Sequence, residues 1–499
     1  MTARRARLPP WNPVVKNWFD HILFHTRAQP ETPAMAMEDR AVTYGMLKDG
    51  IARCARRIAD INLDREEPVA VLIRNPIRHL TVCLALFRLG IQAVSLEHKQ
   101  TGIRGRKFSV VLGDREAAGA VDADKRLVEV ADEWFAVDLP GSEVVGTGFT
   151  DPAQVCRVSF TSGSTGTPKT VEHSVADFGV GIVRFIDVNW ERVLCLPGLS
   201  SSFGFKTCCA ALATGRTVCF AESPYQAMRM VELFAIDFVV ASTEQLLALT
   251  RVARKTGAEP RSLRTIWFGG SVPTRTLLEA ALTHLCTNIL CRYSATETGL
   301  VAQATAREIL SRPGLVGRIV PGVEVGIFAA DGRRCAEGET GRVKIRSSTG
   351  SAAPRASDAG EHWIDLDDLG RVDSEGRLYL LGRASEASGA ELSPVYEIEH
   401  ILRLEWDVID AAAVLVDEAP AGKNPQIWIG VVGNEGASAE QLAAILRPRG
   451  LQYPLTLFDL PTIPRGSNSK VNRYQLKALM IDAVVKATSV LTAASALER

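Results

Sequence analysis

Apolar and polar positions along this chain fall into blocks whose period changes in a regular way. Val69–Ile73 (VAVLI) is a short continuous apolar run. His79–Gly90 (HLTVCLALFRLG) then carries apolar residues at helical spacing up to a glycine, and Ile91–Leu96 (IQAVSL) is a second run. Segments of these lengths predict a strand, a helix closed by glycine, and a strand. The same alternation returns at 192–196, 206–213 and 217–221, and again at 234–241 and 263–268. Short runs that are apolar throughout and separated by helices predict a parallel sheet covered by helices. From about Val320 the texture changes to VEVGIF, DGRR, GRVKIR and SEGRLYLLGR, short strands whose Gly-containing turns predict antiparallel hairpins. After Gly382-Arg383, a helix (YEIEHILRL), two strands (AAAVLV, IWIGVV), a helix (AEQLAAIL) and a last strand (LTLFDL) predict a small α+β domain. The expected fold class is α/β. A large N-terminal domain, 1–382, is built of parallel α/β subdomains and a small β-rich subdomain, and a small α+β C-terminal domain, 383–499, follows. Neither a fixed-period repeat nor a low-complexity linker interrupts this order.

Composition narrows the function classes. The 499 residues suit about three domains or subdomains. Lys+Arg and Asp+Glu both number 57, so no global field exists to hold a nucleic-acid backbone or an anionic membrane, and any anionic ligand needs a local site. Lys206 interrupts the apolar stretch 199–213 and Asp237 interrupts 231–240, so neither makes a membrane span. Arg4, Arg5 and Arg7 run into Pro9, Pro10 and Trp11 rather than an apolar segment, which predicts a frayed tail and not a secretory signal. The ten cysteines lie between Cys54 and Cys335 without a CxxC pair. That spacing predicts neither a disulfide framework nor a zinc ribbon and fits a reducing cytoplasm. His21 and His25 have helical metal-ligand spacing, but HILFH lacks the central glutamate of a metalloprotease, and they read as ordinary surface or core histidines. Cys208 and Cys209 read as packing residues of an apolar helix.

The strongest chemical signal is Val158–Lys169 (VSFTSGSTGTPK), an apolar strand that empties into glycines and hydroxyls before Pro168 and Lys169. Such a loop lets backbone N–H groups and hydroxyls converge on phosphate oxygens, with a lysine to neutralise charge. Pro168 stands where a Walker A loop requires glycine, so that motif is excluded. Further on come IWFGGS (266–271), RYSATETG (292–299), WIDLDDLGRVDSEGRLYLLGR (363–383), GAELSPVYEIE (389–399) and IPRGSNSKVNRYQL (463–476).

TSGSTGTPK resembles the phosphate loop of the adenylate-forming superfamily, which includes acyl- and aryl-CoA synthetases, luciferases and peptide-synthetase adenylation domains. The other stretches resemble that family's later motifs, in its order and across nearly the whole chain. The resemblance implies that Thr161, Ser162, Gly163, Ser164, Thr165, Gly166 and Lys169 hold ATP phosphates. It implies that Gly269, Gly270 and Ser271 flank the adenine and acyl pockets and that Tyr293 stacks on adenine. Thr296 would hold phosphate and Glu297 would ligate Mg2+, a cation that needs few protein carboxylates when phosphates and water complete its shell. Asp368 matches the aspartate that accepts both ribose hydroxyls, and Arg383 matches the ribose-side arginine at the hinge of a mobile C-terminal domain. Lys470 matches the mobile lysine that bridges carboxylate and α-phosphate while two anions are brought together. Gly389 matches the glycine that admits a pantetheine thiol after the small domain rotates.

The departures matter as much. Ser294 replaces a usual glycine, and Leu366 and Asp367 replace a Thr-Gly pair, placing an extra acid beside the ribose. Gly389 follows Arg383 at less than the family's usual spacing, and Glu386 replaces the lysine before it, so the thiol-delivery loop is altered. In LSSSFGFKT, Ser202 falls where amino-acid-activating relatives carry an aspartate for the amine, and Ser201 falls where many acyl and aryl relatives carry histidine. Both point to a fatty, aryl or other non-α-amino acid. The resulting expectation is ATP- and Mg2+-dependent conversion of a carboxylic acid to acyl-AMP, then transfer to a thiol of CoA or an acyl or peptidyl carrier protein. Two alternatives stand beside it: transfer to an amine or other non-thiol acceptor, and a non-catalytic nucleotide-binding relative.

Overall fold

The computed structural model describes residues 17–98, 108–136, 146, 148–161, 169–185, 188–347, 363–384, 394–406, 408–416, 426–433, 436, 438–465 and 471–497. The frayed-tail reading of residues 1–16 therefore lies outside the described residues.

The first strand–helix–strand unit forms where the pattern placed it. Val69–Leu72 and Ala93–Ser95 are parallel neighbours joined by the helix Pro76–Arg88. Asn75 accepts the Arg78 N–H at 3.1 Å and Pro76 opens the first turn, so sequence-local capping starts this helix. Gly90, at φ +71°, turns the chain back after it. These strands belong to a six-stranded sheet ordered Arg126–Glu129, Val110–Gly113, Val69–Leu72, Ala93–Ser95, Val155–Thr161 and Lys169–Ser174. All neighbours in it are parallel except the last pair.

A second sheet of thirteen strands has a parallel centre: Pro33–Met37, Thr217–Cys219, Arg192–Cys195, Phe238–Ser242, Thr265–Gly269 and Asn288–Ala295. Arg40–Thr43 closes one edge. On the other side the ladder turns antiparallel through Gly299–Thr305, Leu315–Ile319, Arg377–Arg383, Ile364–Val372, Gly341–Ser347 and Val323–Phe328. The β-rich hairpins thus extend the same sheet, because Leu315–Ile319 pairs with Arg377–Arg383 across a long stretch of sequence. They still bury an apolar cluster of their own, including Val301, Val325, Val343, Ile345 and Leu378. All ten cysteines are free thiols, and Cys208 and Cys209 are buried in the helix Ser202–Ala213. Among the described residues no helix is long and apolar enough to cross a membrane.

Beyond residue 394, Asp410–Val416, Gln426–Val432 and Leu455–Asp459 make a separate three-stranded sheet with its own apolar clusters. The helix Val395–Glu405 docks this unit onto the helices Thr243–Thr256 and Arg275–His284. Leu404 enters the apolar cluster of Leu246 and Leu278. Around it the contacts are polar. His400 Nδ1 and Thr274 Oγ1 lie 2.6 Å apart, Glu397 accepts the Thr276 N–H at 3.2 Å, and Arg403 donates to Glu244 at 2.6 Å. A final helix, Arg473–Leu497, has Leu476 and Met480 buried and Tyr474, Leu479, Ile481, Val484 and Val485 exposed.

Candidate active site

Most of the sequence-predicted site residues that the structure describes stand at or just beyond the carboxyl ends of parallel strands, where open α/β sheets bind ligands. Thr161 ends the strand Val155–Thr161 and pairs with Lys169 in the antiparallel ladder. Ser162, Gly163, Ser164, Thr165 and Gly166 lie outside the described residues, as do Gly389 and Lys470.

Gly269 ends the central strand Thr265–Gly269. A Cβ there would come within 2.4 Å of the Arg292 carbonyl oxygen, so only glycine lets the neighbouring strand approach. Gly270 has φ +101°, a conformation that side chains disfavour. Thr243 Oγ1 lies 3.3 Å from the Gly269 carbonyl oxygen and 3.2 Å from that of Ser271, which pins this turn to the adjacent strand end.

Arg292 and Tyr293 follow on Asn288–Ala295, where the ladder with Gly299–Thr305 slips between Tyr293 and Ser294. Thr296, Glu297 and Thr298 form the turn between these strands, closed by Gly299 at φ +69°. Tyr293 reaches across to the antiparallel part of the sheet, and its hydroxyl donates to Asp368 Oδ2 at 2.5 Å. Asp368 is only 8% exposed and pairs with Arg383 in the ladder. A phenol and a buried carboxylate are therefore held together beside the Thr296–Glu297 turn. A carboxylate accepts at more than one lone pair, so one donor does not exhaust it.

Asp367 resolves one departure from the family pattern. It takes φ +64°, the left-handed conformation that a glycine would adopt freely and that Asp tolerates better than most residues. Its carboxylate accepts from Arg342 at 2.9 Å, and the same guanidinium holds Asp365 at 3.0 Å. The extra acid is thus tied to its own sheet by a shared arginine.

Ser201 and Ser202 begin the helix Ser202–Ala213. Ser201 caps it, accepting the Gly204 N–H at 3.0 Å and donating to the Gly198 carbonyl at 2.8 Å. Ser202 faces the other sheet, 3.2 Å from His173 Nε2 and 3.3 Å from Ser159 Oγ. Burial, followed by the charges of Lys206 and Arg157, pushes His173 down to about 2, so it is a neutral imidazole. Arg157 is fully buried, stacks 3.7 Å over Phe205, and donates to Ser95 at 3.0 Å and to the Leu199 carbonyl at 2.6 Å.

No motif position assigns a role to Arg157, Arg184, Lys206 or Arg292. Lys206 read only as the charge that breaks an apolar run. A lysine inside an otherwise buried helix was itself the available signal, since such a charge is costly unless something compensates it.

Among the described residues no cluster of three or more His, Cys, Asp or Glu is suited to enclose a metal ion. Glu297, as a single carboxylate on a turn, fits a magnesium ion whose remaining ligands are phosphate and water.

The AMP-binding enzyme family matches residues 24–352, well over half of the chain. The 2-succinylbenzoate–CoA ligase of Geobacillus kaustophilus is 27% identical over 93% of this chain and 98% of its own length. Among solved structures, O-succinylbenzoate coenzyme A synthetase of Bacillus subtilis, in complex with ATP and magnesium ion, aligns with a TM-score of 0.74 at 23% identity, covering 92% of this chain and 99% of that one. The amide bond synthetase McbA of Marinactinospora thermotolerans aligns with a TM-score of 0.73 at 22% identity, covering 93% and 99%. The glycine-ended central strand, the Tyr293–Asp368 pair and the antiparallel strands that flank the phosphate-loop motif thus fall on a matched sequence and a matched architecture, and the chain belongs to the AMP-binding enzyme family of adenylate-forming enzymes.

Proposed function

We propose that this chain activates a carboxylic acid with ATP and magnesium, forming an acyl-AMP, and passes the acyl group to the thiol of CoA or a carrier protein. A carboxylate oxygen attacks the α-phosphorus. The new O–P bond forms as the bond to the bridging oxygen breaks, and that electron pair leaves with pyrophosphate. The thiolate sulfur then attacks the acyl carbon and AMP departs.

The observation that carries the reading is the Tyr293–Asp368 pair beside the Thr296–Glu297 turn. Asp368 accepts the ribose hydroxyls, with Tyr293 orienting its carboxylate and laying its ring against adenine. Arg383, on the paired strand, is the ribose-side arginine of this reading, and Gly269, Gly270 and Ser271 form the floor between nucleotide and acyl group. Thr296, Lys169 and the 161–166 loop hold the phosphates. Glu297 would hold magnesium, which would supply positive charge to the phosphate oxygens. Lys470 stabilises the charge between carboxylate and α-phosphate. Residues 383–499 form the mobile domain that brings Lys470 to the site and later exposes the adenylate to the thiol. The CoA ligase names of the full-length relatives support a CoA acceptor. The absence of a carboxylate at Ser202 supports an acid without an α-amine.

A second reading, transfer to an amine, is favoured by the short spacing between Arg383 and Gly389 and by Glu386 in place of lysine. Acyl-AMP formed with unlabelled acid and then offered CoA, carrier protein or amines separates the two by product mass. A thioester supports the first reading and an amide as sole product supports the second.

A further inference from the structure

The turn 269–271 at the end of the central strand is soft by composition. Two consecutive glycines leave its backbone free, and Gly270 uses that freedom at φ +101°. Its geometry has to be imposed from outside, and two supports do so. Thr243, 1% exposed, donates to the carbonyls of Gly269 and Ser271 from the first turn of the helix Thr243–Thr256. Val272 and Pro273 tie Ser271 to Thr274, the cap of the helix Arg275–His284. That tether is stiff, because proline fixes its own φ and restricts the residue before it.

Both supports are gripped by one face of the helix Val395–Glu405. Glu397, His400 and Arg403 recur at three-residue spacing, which places them along one side of that helix. Arg403 clamps Glu244, the neighbour of Thr243, with both terminal nitrogens, at 2.6 and 3.4 Å. His400, 1% exposed, meets the Thr274 hydroxyl at 2.6 Å. Glu397 accepts both the N–H and the hydroxyl of Thr276, at 3.2 and 2.5 Å. A carboxylate there satisfies an N–H that the first helical turn leaves unpaired and lies at the positive end of the helix dipole. A unit that begins beyond residue 394 thus holds the first turns of the two helices that support the glycine turn.

Resting on the adenylation reading above, we infer that Glu397, His400 and Arg403 are positioning residues for the floor between nucleotide and acyl group. The turn 269–271 keeps its working geometry only while this helix face grips both supports. The effect runs through Thr243, Thr274 and the Val272-Pro273 tether, and is separate from the delivery of Lys470. Loosening the grip releases the surface on which the nucleotide lies, so ATP binding weakens along with turnover.

The test uses Glu397→Ala and His400→Leu, which leave the Arg403–Glu244 clamp and the Leu404 contact to keep the C-terminal unit docked. Glu397→Gln is the conservative companion, retaining an acceptor for the Thr276 N–H. ATP affinity is titrated calorimetrically, and amide hydrogen exchange is followed over residues 266–274 and 395–405. Losing one or two hydrogen bonds at the first turn corresponds to ATP binding about 3- to 10-fold weaker in Glu397→Ala and His400→Leu, with faster amide exchange at 266–274. Glu397→Gln should recover most of both. Wild-type ATP affinity with a lower kcat for pyrophosphate–ATP exchange overturns the inference, as does faster amide exchange confined to 395–405, because contacts that merely dock the unit would give either result. ATP binding without any pyrophosphate exchange in the wild-type protein overturns adenylation, while the affinity ratio between wild type and variants still decides this inference. An absence of ATP binding overturns both. Where Glu397→Ala folds poorly, His400→Leu beside wild type makes the same comparison.

Discussion

Replacing Asp368 with asparagine keeps the shape of the side chain and removes its charge. The carboxylate is 8% exposed and takes the Tyr293 hydroxyl, and in the proposed function it also accepts the ribose hydroxyls. A hydrogen bond to a charged group contributes about 1.5–3 kcal/mol. Asparagine has one acceptor oxygen and must share it between Tyr293 and the diol, which removes about one such bond and weakens ATP binding about 10- to 100-fold. Tyr293→Phe keeps the ring for adenine and removes only the hydroxyl. Its expected effect is about 3- to 10-fold, arising through loss of orientation at Asp368. The two substitutions should therefore couple: in the Asp368→Asn background, Tyr293→Phe should add little. Calorimetric ATP titration of the four proteins, with thermal melts to establish that each is folded, measures both quantities. A wild-type Kd in folded Asp368→Asn, or strictly additive losses, would refute the reasoning.

Asp367→Gly relieves a left-handed residue and gives up a partly exposed pair with Arg342, so chemical denaturation should find stability within about 1 kcal/mol of wild type, with ATP affinity unchanged. Gly269→Ala drives a methyl into the Arg292 carbonyl, and both a lower melting temperature and loss of exchange activity are expected. Arg473→Met strips the Glu399 carboxylate, 1% exposed, of an ion pair at 2.6 Å. Urea unfolding should register a loss of about 3–5 kcal/mol in the C-terminal unit, and a companion Glu399→Gln should recover part of it. Burial alone would raise the Glu244 pKa, but Arg403, Arg465 and Arg473 outweigh it and hold the carboxyl low. A depressed folded value means this clasp contributes fully above the usual glutamate value of about 4.3 and fades as pH falls below it. Amide hydrogen exchange along the helix Val395–Glu405 should then accelerate at acid pH in the wild-type protein and already at neutral pH in Glu244→Gln.

The parts of the fold legible in the sequence were those whose signal is local. Val69–Ile73, His79–Gly90 and Ile91–Leu96 each declare their period within a dozen residues, although the helix itself starts at Pro76, behind the Asn75 cap. The merging of the β-rich hairpins into the thirteen-stranded sheet was not legible, because it rests on Leu315–Ile319 meeting Arg377–Arg383, a pairing that no local pattern announces. The helix Arg473–Leu497 was also missed. Its apolar residues lie on buried and exposed faces alike, as Met480 and Ile481 illustrate, so no stripe marks it. At the site, motif order picks out Gly269, Tyr293, Thr296, Glu297 and Asp368 as candidates, and the structure adds what spacing cannot: the Tyr293–Asp368 hydrogen bond and the Arg342–Asp367 pair. Ser201 reads as a widened pocket wall, yet its hydroxyl is spent on a helix cap.

The most direct test of adenylation is carboxylate-dependent exchange of labelled pyrophosphate into ATP, run across fatty, aryl, hydroxy and amino acids with Lys470→Ala beside the wild-type protein. The account predicts exchange with acids lacking an α-amine and its loss in Lys470→Ala. Tight ATP binding with no exchange for any acid, or exchange that Lys470→Ala leaves intact, would contradict it.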